Sequence, residues 1–483
     1  MGKNLPTRRS FVGASALASS LASPGALARG AAHVKRPNIL FILPDQLRAQ
    51  ALGCMGNPDV HTPNVDRLAA EGLILPNTFA NTPVCCPARA NILTGTYAHR
   101  NGMVANDLRL REAETSVADI LGRAGYRTGF IGKWHLDGGP RMPGYIPPGP
   151  RRHGFQYWAA NQCSHSHFNT QYFRDTPEPI PIHKFEAEAW TDLALDFMKD
   201  HTRPYFLIVS MGPPHDPYKA PPEFARMYDP AKLHMRPNWR PGGPGPKEIA
   251  QYYGNVTAVD AQVGRLVAAV DDNTIVLFSS DHGDMLGSQG QRLKRKPWEE
   301  SIRVPGVFRG PSRIQPGSRS DAMFTHVDFA PTFLGLCGVK ASARMQGADL
   351  SPLILGRAPR GSSSAAPDSA FFQIFGPFEG DGTKDAWRGV RTHRYMYARF
   401  ESQPWLLYDL EKDPDEMHNL VDDAALVAEM DGRLAAWMKR TGDSWKFDWH
   451  ELVEDKGRLY NSGTYYSVDE YLRADRLKPA AQD

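Results

Sequence analysis

Five short stretches of this 483-residue chain place reactive side chains where chemistry could use them. In Val84-Cys85-Cys86-Pro87-Ala88-Arg89, a thiol stands two residues before a proline and four before an arginine. Pro87 suits the first turn of a helix, since it has no N–H to leave unpaired and its φ is already helical. Ala88 to Leu93 can continue that helix and Gly95 can end it, which sets Cys85 just ahead of a helix N-terminus. Unpaired N–H groups there favour a developing anion, and Arg89, one turn in, adds a permanent positive charge. Asp45 and Gln46 close an apolar run, and Lys133 and His135 sit two apart at a second, on one face of a strand. His215 follows a third run, and Asp281-His282-Gly283-Asp284 follows a fourth. Gly283 permits a tight turn that lets neighbouring side chains converge on one point. A thiol, cations, acids and histidines in this arrangement describe a site that receives an anion and moves protons.

The elements that must hold these groups are legible as buried strands and amphipathic helices. Pro37 to Leu43, Tyr126 to Ile131, Tyr205 to Ser210 and Thr274 to Ser280 are apolar without alternation, as strands covered on both faces are. In open α/β sheets, ligands bind beyond the carboxyl ends of such strands, where the reactive residues lie. Helices are expected over Asn64 to Glu71 (ending in Gly72), Thr115 to Ala124, Phe185 to Lys199 and Lys247 to Val270. Residues 136–183 are rich in Pro, Gly, His and aromatics and show no period. Cys163, His165 and His167 have irregular spacing and no fourth ligand, so the segment reads as a lid or specificity loop rather than a metal site. A Gly/Ser/Ala/Pro run over 357–368 reads as a linker. Beyond it, Trp387 to Phe400 alternates, Trp405 to Leu410 supplies a partner strand, and Ala424 to Arg440 a covering helix.

Two of the stretches carry a family likeness. Cys85-x-Pro87-Ala88-Arg89 with Leu93-Thr94-Gly95 resembles the first sulfatase signature, and Gly125 to His135 resembles the second. The likeness extends over roughly residues 37 to 425, in matching chain order. It implies an α/β fold of the alkaline-phosphatase type: a large, mostly parallel central sheet flanked by helices, with a smaller C-terminal antiparallel sheet plus helix. It also implies that Cys85 is oxidised to Cα-formylglycine. One divalent cation would be held by Asp45, Gln46, Asp281 and His282. Gln46 stands where sulfatases usually carry a second aspartate, as in some sulfatase and phosphonate monoester hydrolase relatives. Calcium comes first for so many oxygen donors, with magnesium and manganese left open by the histidine. Arg89, Lys133 and Lys294 would cancel substrate charge. Lys294 takes that role from its place four residues before Trp298-Glu299, and Lys296 is its rival.

By the same resemblance, the hydrated aldehyde would attack sulfur, form a sulfated enzyme and expel the alcohol. His135 would then act as base for release of sulfate, and His215 with Lys294 would assist the departing alcohol. The implied activity is a sulfuric ester hydrolase acting on sulfated carbohydrate or aryl sulfate esters. A phosphonate monoester or phosphodiester hydrolase of the same superfamily is the enzymatic rival. An inactive relative that binds sulfated glycan is the non-enzymatic one. A formylglycine-generating maturase is the implied partner.

Composition narrows the classes further. A hydrophobic fraction of 41% with 23% charged residues is that of an ordinary globular chain. The net charge of +3 gives no reason to expect nucleic acid or a membrane as partner. Five cysteines with no framework spacing argue against a disulfide scaffold. Thr7-Arg8-Arg9-Ser10-Phe11-Val12 is a twin-arginine pattern, followed by a mildly apolar run and the cleavage-like Ala26-Leu27-Ala28. Residues 1–36 are therefore expected to be a leader that takes a folded protein through the twin-arginine machinery to the periplasm or beyond. The catalytic region is expected over 37–370 and a smaller C-terminal α+β part with a tail over 371–483.

Overall fold

The computed structural model describes residues 36–138, 142–200, 202–357, 366–375, 385–446, 452–455 and 458–461. The twin-arginine leader and most of the expected linker lie outside these residues. From Arg36 onward the described chain forms one compact unit.

Its frame is an eight-stranded sheet in which five neighbouring strands run parallel. Their order is Thr274–Phe278, Asn38–Asp45, Tyr205–Pro214, Arg127–Lys133 and Tyr157–Asn161. The short strands Val307–Arg309, Leu73–Ile74 and Ser318–Arg319 extend one edge, the first of them antiparallel. The first strand explains the unbroken apolar runs. Ile39, Phe41 and Leu43 pack into one core layer, while Leu40 and Ile42 pack into the other. Because side chains alternate across a strand and both faces are covered, the five positions from Ile39 to Leu43 are all apolar. Each such side chain, fully buried, contributes about 1.5–3 kcal/mol. On one face Cys85–Thr94, Val117–Arg123 and His326–Leu336 supply the cover, and on the other Pro63–Ala70, Glu186–Met198 and Pro246–Ala269.

The expected helices are all present, with small differences at their ends. Ser116 caps Val117–Arg123 through a reciprocal pair with Asp119. Residues 136–183, read as irregular, are so only in part. They hold the edge strand Tyr157–Asn161 and a small hairpin of Thr170–Tyr172 with Ile180–Ile182. Pairing with Gly129 to Lys133 makes that edge strand, and its five residues are too few to show a period of their own. No helix among the described residues is long and apolar enough to cross a membrane.

A second sheet is antiparallel: Ser369–Ile374, Trp387–Thr392, Tyr395–Phe400 and Pro404–Asp409 in sequence order. Phe372, Trp387 and Met396 face the main core, whereas Phe371, Val390 and Tyr397 pack on Met430 and Leu434 of helix Ala424–Thr441. This is the alkaline-phosphatase-like arrangement, a large mixed sheet between helices with a separate small C-terminal sheet.

Candidate active site

Four parallel strands deliver the site from their carboxyl ends. Asp45 and Lys133 are the last residues of their strands, His215 follows Pro214, and Asp281 comes three residues after Phe278. Cys85 opens its helix rather than preceding it, with Val84 as the extended residue before the first turn. Backbone strain gathers here. Gln46, His135, Leu293 and Arg295 all have left-handed φ values, of 63°, 57°, 60° and 73°. Such conformations cost on the order of 1–3 kcal/mol each in residues other than glycine, and persist where the surroundings impose them. Gly132 and Gly283 serve closeness of approach. A Cβ on Gly132, at φ 100°, would stand 1.8 Å from the Ser210 carbonyl oxygen, and one on Gly283 would stand 1.9 Å from that of Glu300. Gly283 thus answers a neighbouring carbonyl rather than a left-handed turn.

Arg89 is the hub. Its Nε donates to Asp281 Oδ2 at 3.0 Å, and one Nη to Asp45 Oδ2 at 3.2 Å. The other Nη donates to the Lys133 carbonyl at 2.8 Å and to Ser210 Oγ at 2.7 Å. Lys133 Nζ lies 2.6 Å from Asp45 Oδ2. All of these groups are buried. Burial pushes the Asp45 carboxyl up, as does the Cys85 sulfur, but Lys133, His215 and Arg89 outweigh both and hold it far below the carboxylate range. Asp281 moves the other way, raised by burial and by Asp45 beside it. Two carboxylates in one dry site do not ionise equally.

The remaining carboxylate oxygens converge. Asp45 Oδ1 and Asp281 Oδ1 lie 3.5 and 3.7 Å from His282 Nε2, and Cys85 Sγ lies 3.1 Å from the same nitrogen. His282 Nδ1 donates to the Gly283 carbonyl at 2.9 Å, which turns the Nε2 lone pair inward. Ligand atoms of Asp45, Cys85, Asp281 and His282 all lie within 4.8 Å of one another. Two carboxylates and an imidazole aimed at one point, each oriented from behind, fit a divalent cation. Gln46 stands beside them. Its Nε2 donates to Asp284 Oδ2 at 2.5 Å and Asp216 Oδ1 at 3.2 Å, which leaves Oε1 as the end turned to the site. Lys294 Nζ reaches that oxygen at 2.5 Å.

Cys85 itself is 1% exposed. Burial raises its thiol, yet Lys294, Lys133 and His282 prevail and bring it well below the ordinary value. The site therefore stabilises an anion at this position. His135 Nε2 lies 3.5 Å from Asp107 Oδ1, and the main-chain N–H of His135 donates to the Gln162 carbonyl at 2.6 Å. Burial lowers that imidazole, but Cys163, Cys86 and Asp107 together carry it well above the usual histidine value. His215 Nδ1 donates to the Asp216 carbonyl at 2.7 Å, so its Nε2 accepts from Lys294 Nζ at 2.8 Å.

The chain matches the sulfatase family model over residues 37–339, and a model described as the C-terminal part of N-sulphoglucosamine sulphohydrolase over 287–441. It is 37% identical over 430 residues to an ulvan-active sulfatase of Formosa agariphila, covering 85% of this chain and 83% of that one. It belongs to the sulfatase family.

An endo-4-O-sulfatase of Bacteroides thetaiotaomicron is 29% identical, over 86% of this chain and 94% of its own. Among solved structures, one in complex with its substrate D-glucosamine-2-N,6-O-disulfate superposes with a TM-score of 0.75. It is 25% identical, and the match covers 85% of this chain and 99% of that one. Homologues of this kind make the chain a sulfatase enzyme. In this sulfatase the sequence-derived site residues come together: Cys85, Arg89, Lys133, His135, His215 and Lys294 with Asp45, Gln46, Asp281 and His282. Between the rival lysines, Lys294 points into the site, whereas Lys296 Nζ donates to the Lys294 main-chain carbonyl at 3.2 Å.

Four further residues line the site in roles that their spacing in the sequence does not show. Asp216 and Asp284 orient Gln46, and both sit in stretches already singled out. Cys163 lies against His135 and Lys133, and His165 lies against His215. Irregular spacing along the chain carries no sign of contacts made across neighbouring strands.

Proposed function

We propose that this sulfatase releases sulfate from sulfated carbohydrate, using Cys85 after its oxidation to formylglycine by a maturase. The observation that carries the reading is the seat of Cys85: first in its helix, 3.1 Å from His282 Nε2 and 3.9 Å from Asp45 Oδ1, under the charges of Lys133 and Lys294. Hydrated formylglycine supplies one hydroxyl to attack sulfur and a second whose deprotonation lets sulfate leave, so water never has to attack the ester. A cation held by Asp45, Gln46, Asp281 and His282 supplies further positive charge beside the ester oxygens.

The chain's own residues do the rest. Arg89, Lys133 and Lys294 offset the substrate's negative charge in a water-poor site, where fixed charges act most strongly. In its neutral form His135 takes the proton from the second hydroxyl, and Cys163, Cys86 and Asp107 beside it favour the imidazolium that results. The His215–Lys294 pair gives a proton to the departing alcohol. Each proton transfer is worth on the order of 10²–10⁴ in rate. The carbohydrate class is supported by the likeness to an ulvan-active sulfatase and to an endo-4-O-sulfatase. Export through the leader belongs to the same reading, since a folded, already matured enzyme suits the twin-arginine route.

The test is mass analysis of the peptide carrying residue 85 in protein from a host with the maturase. It is paired with turnover of ulvan oligosaccharides, glucosamine 6-sulfate, 4-nitrophenyl sulfate and phenyl phosphonate. An aldehyde at 85 and preference for sulfated sugars are expected. An intact thiol with full turnover, or preference for the phosphonate, would overturn the reading.

A further inference from the structure

Residues 162–167 continue from the edge strand and pass both histidines of the site. The Gln162 carbonyl holds the His135 main chain, and Cys163 lies against the His135 ring. The His165 ring then lies flat on His215, with centroids 4.5 Å apart and planes 15° from parallel. His167 Nε2 donates to the His215 carbonyl at 2.7 Å, while its Nδ1 lies 2.8 Å from Glu186 Oε1. The segment therefore grips His215 by its main chain and by its ring face.

The ring contact supplies a restraint that the other bonds of His215 do not. Hydrogen bonds at Nδ1 and Nε2 fix an imidazole within its own plane. Tilting out of that plane bends both bonds only gradually, and is resisted by whatever covers the face. His165 is that cover, and Cys163 Sγ, 3.7 Å from His165 Nε2, steadies it in turn. Burial, along with nearby His215, lowers the basicity of His165, so two stacked rings need not share positive charge when one carries a proton.

We propose that His165 is a positioning residue for departure of the alcohol, holding His215 Nε2 and Lys294 Nζ on line with the leaving oxygen. This rests on the sulfatase reading above. In the step concerned, the hydroxyl of residue 85 gives its proton to the neighbouring Asp281 carboxylate and its oxygen bonds to sulfur as the bond from sulfur to the alcohol oxygen breaks. The electron pair stays on that oxygen, which takes its proton from the His215–Lys294 pair. A leaving sugar alkoxide needs that proton and a nitrophenolate does not, so misalignment penalises one ester and spares the other.

The experiment compares matured full-length wild type, His165→Ala and His165→Phe on 4-nitrophenyl sulfate and on the best sugar sulfate of the panel above. For His165→Ala, kcat on the sugar sulfate is expected to fall about threefold to tenfold, the scale of one aromatic contact. Turnover of 4-nitrophenyl sulfate should stay within about twofold, which also reports that the variant is folded. His165→Phe keeps a ring on the face and should recover the sugar activity. Equal losses on both esters, no loss on the sugar, or no recovery with phenylalanine would overturn the inference. A matured wild type inert toward both esters would overturn the sulfatase reading, and this step with it.

Discussion

Replacing Arg89 with methionine tests whether the site is held together by buried charge. Arg89 bonds to both carboxylates, but they do not depend on it equally. Asp45 Oδ2 keeps Lys133 Nζ at 2.6 Å when the guanidinium is gone. Asp281 Oδ2 has Arg89 as its near cation, and its Oδ1 keeps the Gln46 N–H at 3.1 Å. Asp281 is thus the stranded group, already raised by burial and by its neighbour. Breaking a buried pair from one side costs about 3–5 kcal/mol. Lost bonds to the Lys133 carbonyl and Ser210 Oγ favour the upper end.

The assay is equilibrium urea unfolding of chelated protein, followed by tryptophan fluorescence. Arg89→Met should lose about 3–5 kcal/mol, and Arg89→Met/Asp281→Asn should recover more than about 1 kcal/mol by removing the stranded charge. Adding calcium should narrow the gap to wild type, because a dication replaces the missing positive charge and binding at a hundred times Kd stabilises by about 2.7 kcal/mol. A single-variant loss below about 1 kcal/mol, or a double variant no better than the single, would refute the argument.

Lys294→Met should cost about 10²–10³ in kcat, as loss of a charge at a transition state does, while Lys296→Met stays within about tenfold; steady-state kinetics on one sulfate ester decides. Gly132→Ala should not yield folded protein at wild-type levels, since its Cβ would meet the Ser210 carbonyl oxygen at 1.8 Å, and soluble yield with circular dichroism checks it. Burial pushes the Asp328 carboxyl up to about 6, against bonds from Ala348 and Thr325. A carboxyl raised on folding stabilises below its unfolded value, and that contribution is lost as pH rises through the folded one. Stability should therefore decline between about pH 4 and 6, by roughly 3 kcal/mol from this group, and Asp328→Asn should flatten the decline in urea titrations.

What was legible in the sequence follows from what buried parallel strands demand. A strand covered on both faces is apolar along most of its length, so the titratable Asp45, Lys133, His215 and Asp281 stand out at or just past its carboxyl end. The helix of Cys85 was legible from Pro87 and Gly95. The edge strand Tyr157–Asn161 was not, because its neighbour rather than its composition makes it a strand. The contacts of Cys163 and His165 were hidden for the same reason, being set by strand order. Trp387 to Phe400 read as one alternating stretch but folds back at His393-Arg394. That turn carries no glycine, proline or asparagine. Thr392 Oγ1 makes it by accepting the N–H groups of Arg394 and Tyr395.

Gln46 shows how the surroundings choose between an amide and an acid. Arg89 and Lys133 pair with Asp45 and Asp281, whereas Lys294 Nζ donates to the neutral Gln46 Oε1 at 2.5 Å and to His215 Nε2 at 2.8 Å, which leaves its charge in excess for an anionic ester. An acid at 46 would cancel that excess, and it would also point at Asp284 and Asp216, where the amide Nε2 now donates at 2.5 and 3.2 Å. Gln46→Glu keeps the shape and replaces that donor with an oxygen. Two carboxylates that close cannot both ionise, so one must hold a proton and its folded value rises above the unfolded one. The stability this proton confers is present at low pH and lost as pH climbs through the raised value. The variant should therefore unfold near the wild-type urea midpoint at about pH 5 and well below it at about pH 8. Deficits of equal size at both pH values would show that Gln46 is tolerated for its shape alone, and that the donor end of its amide is not what Asp284 requires.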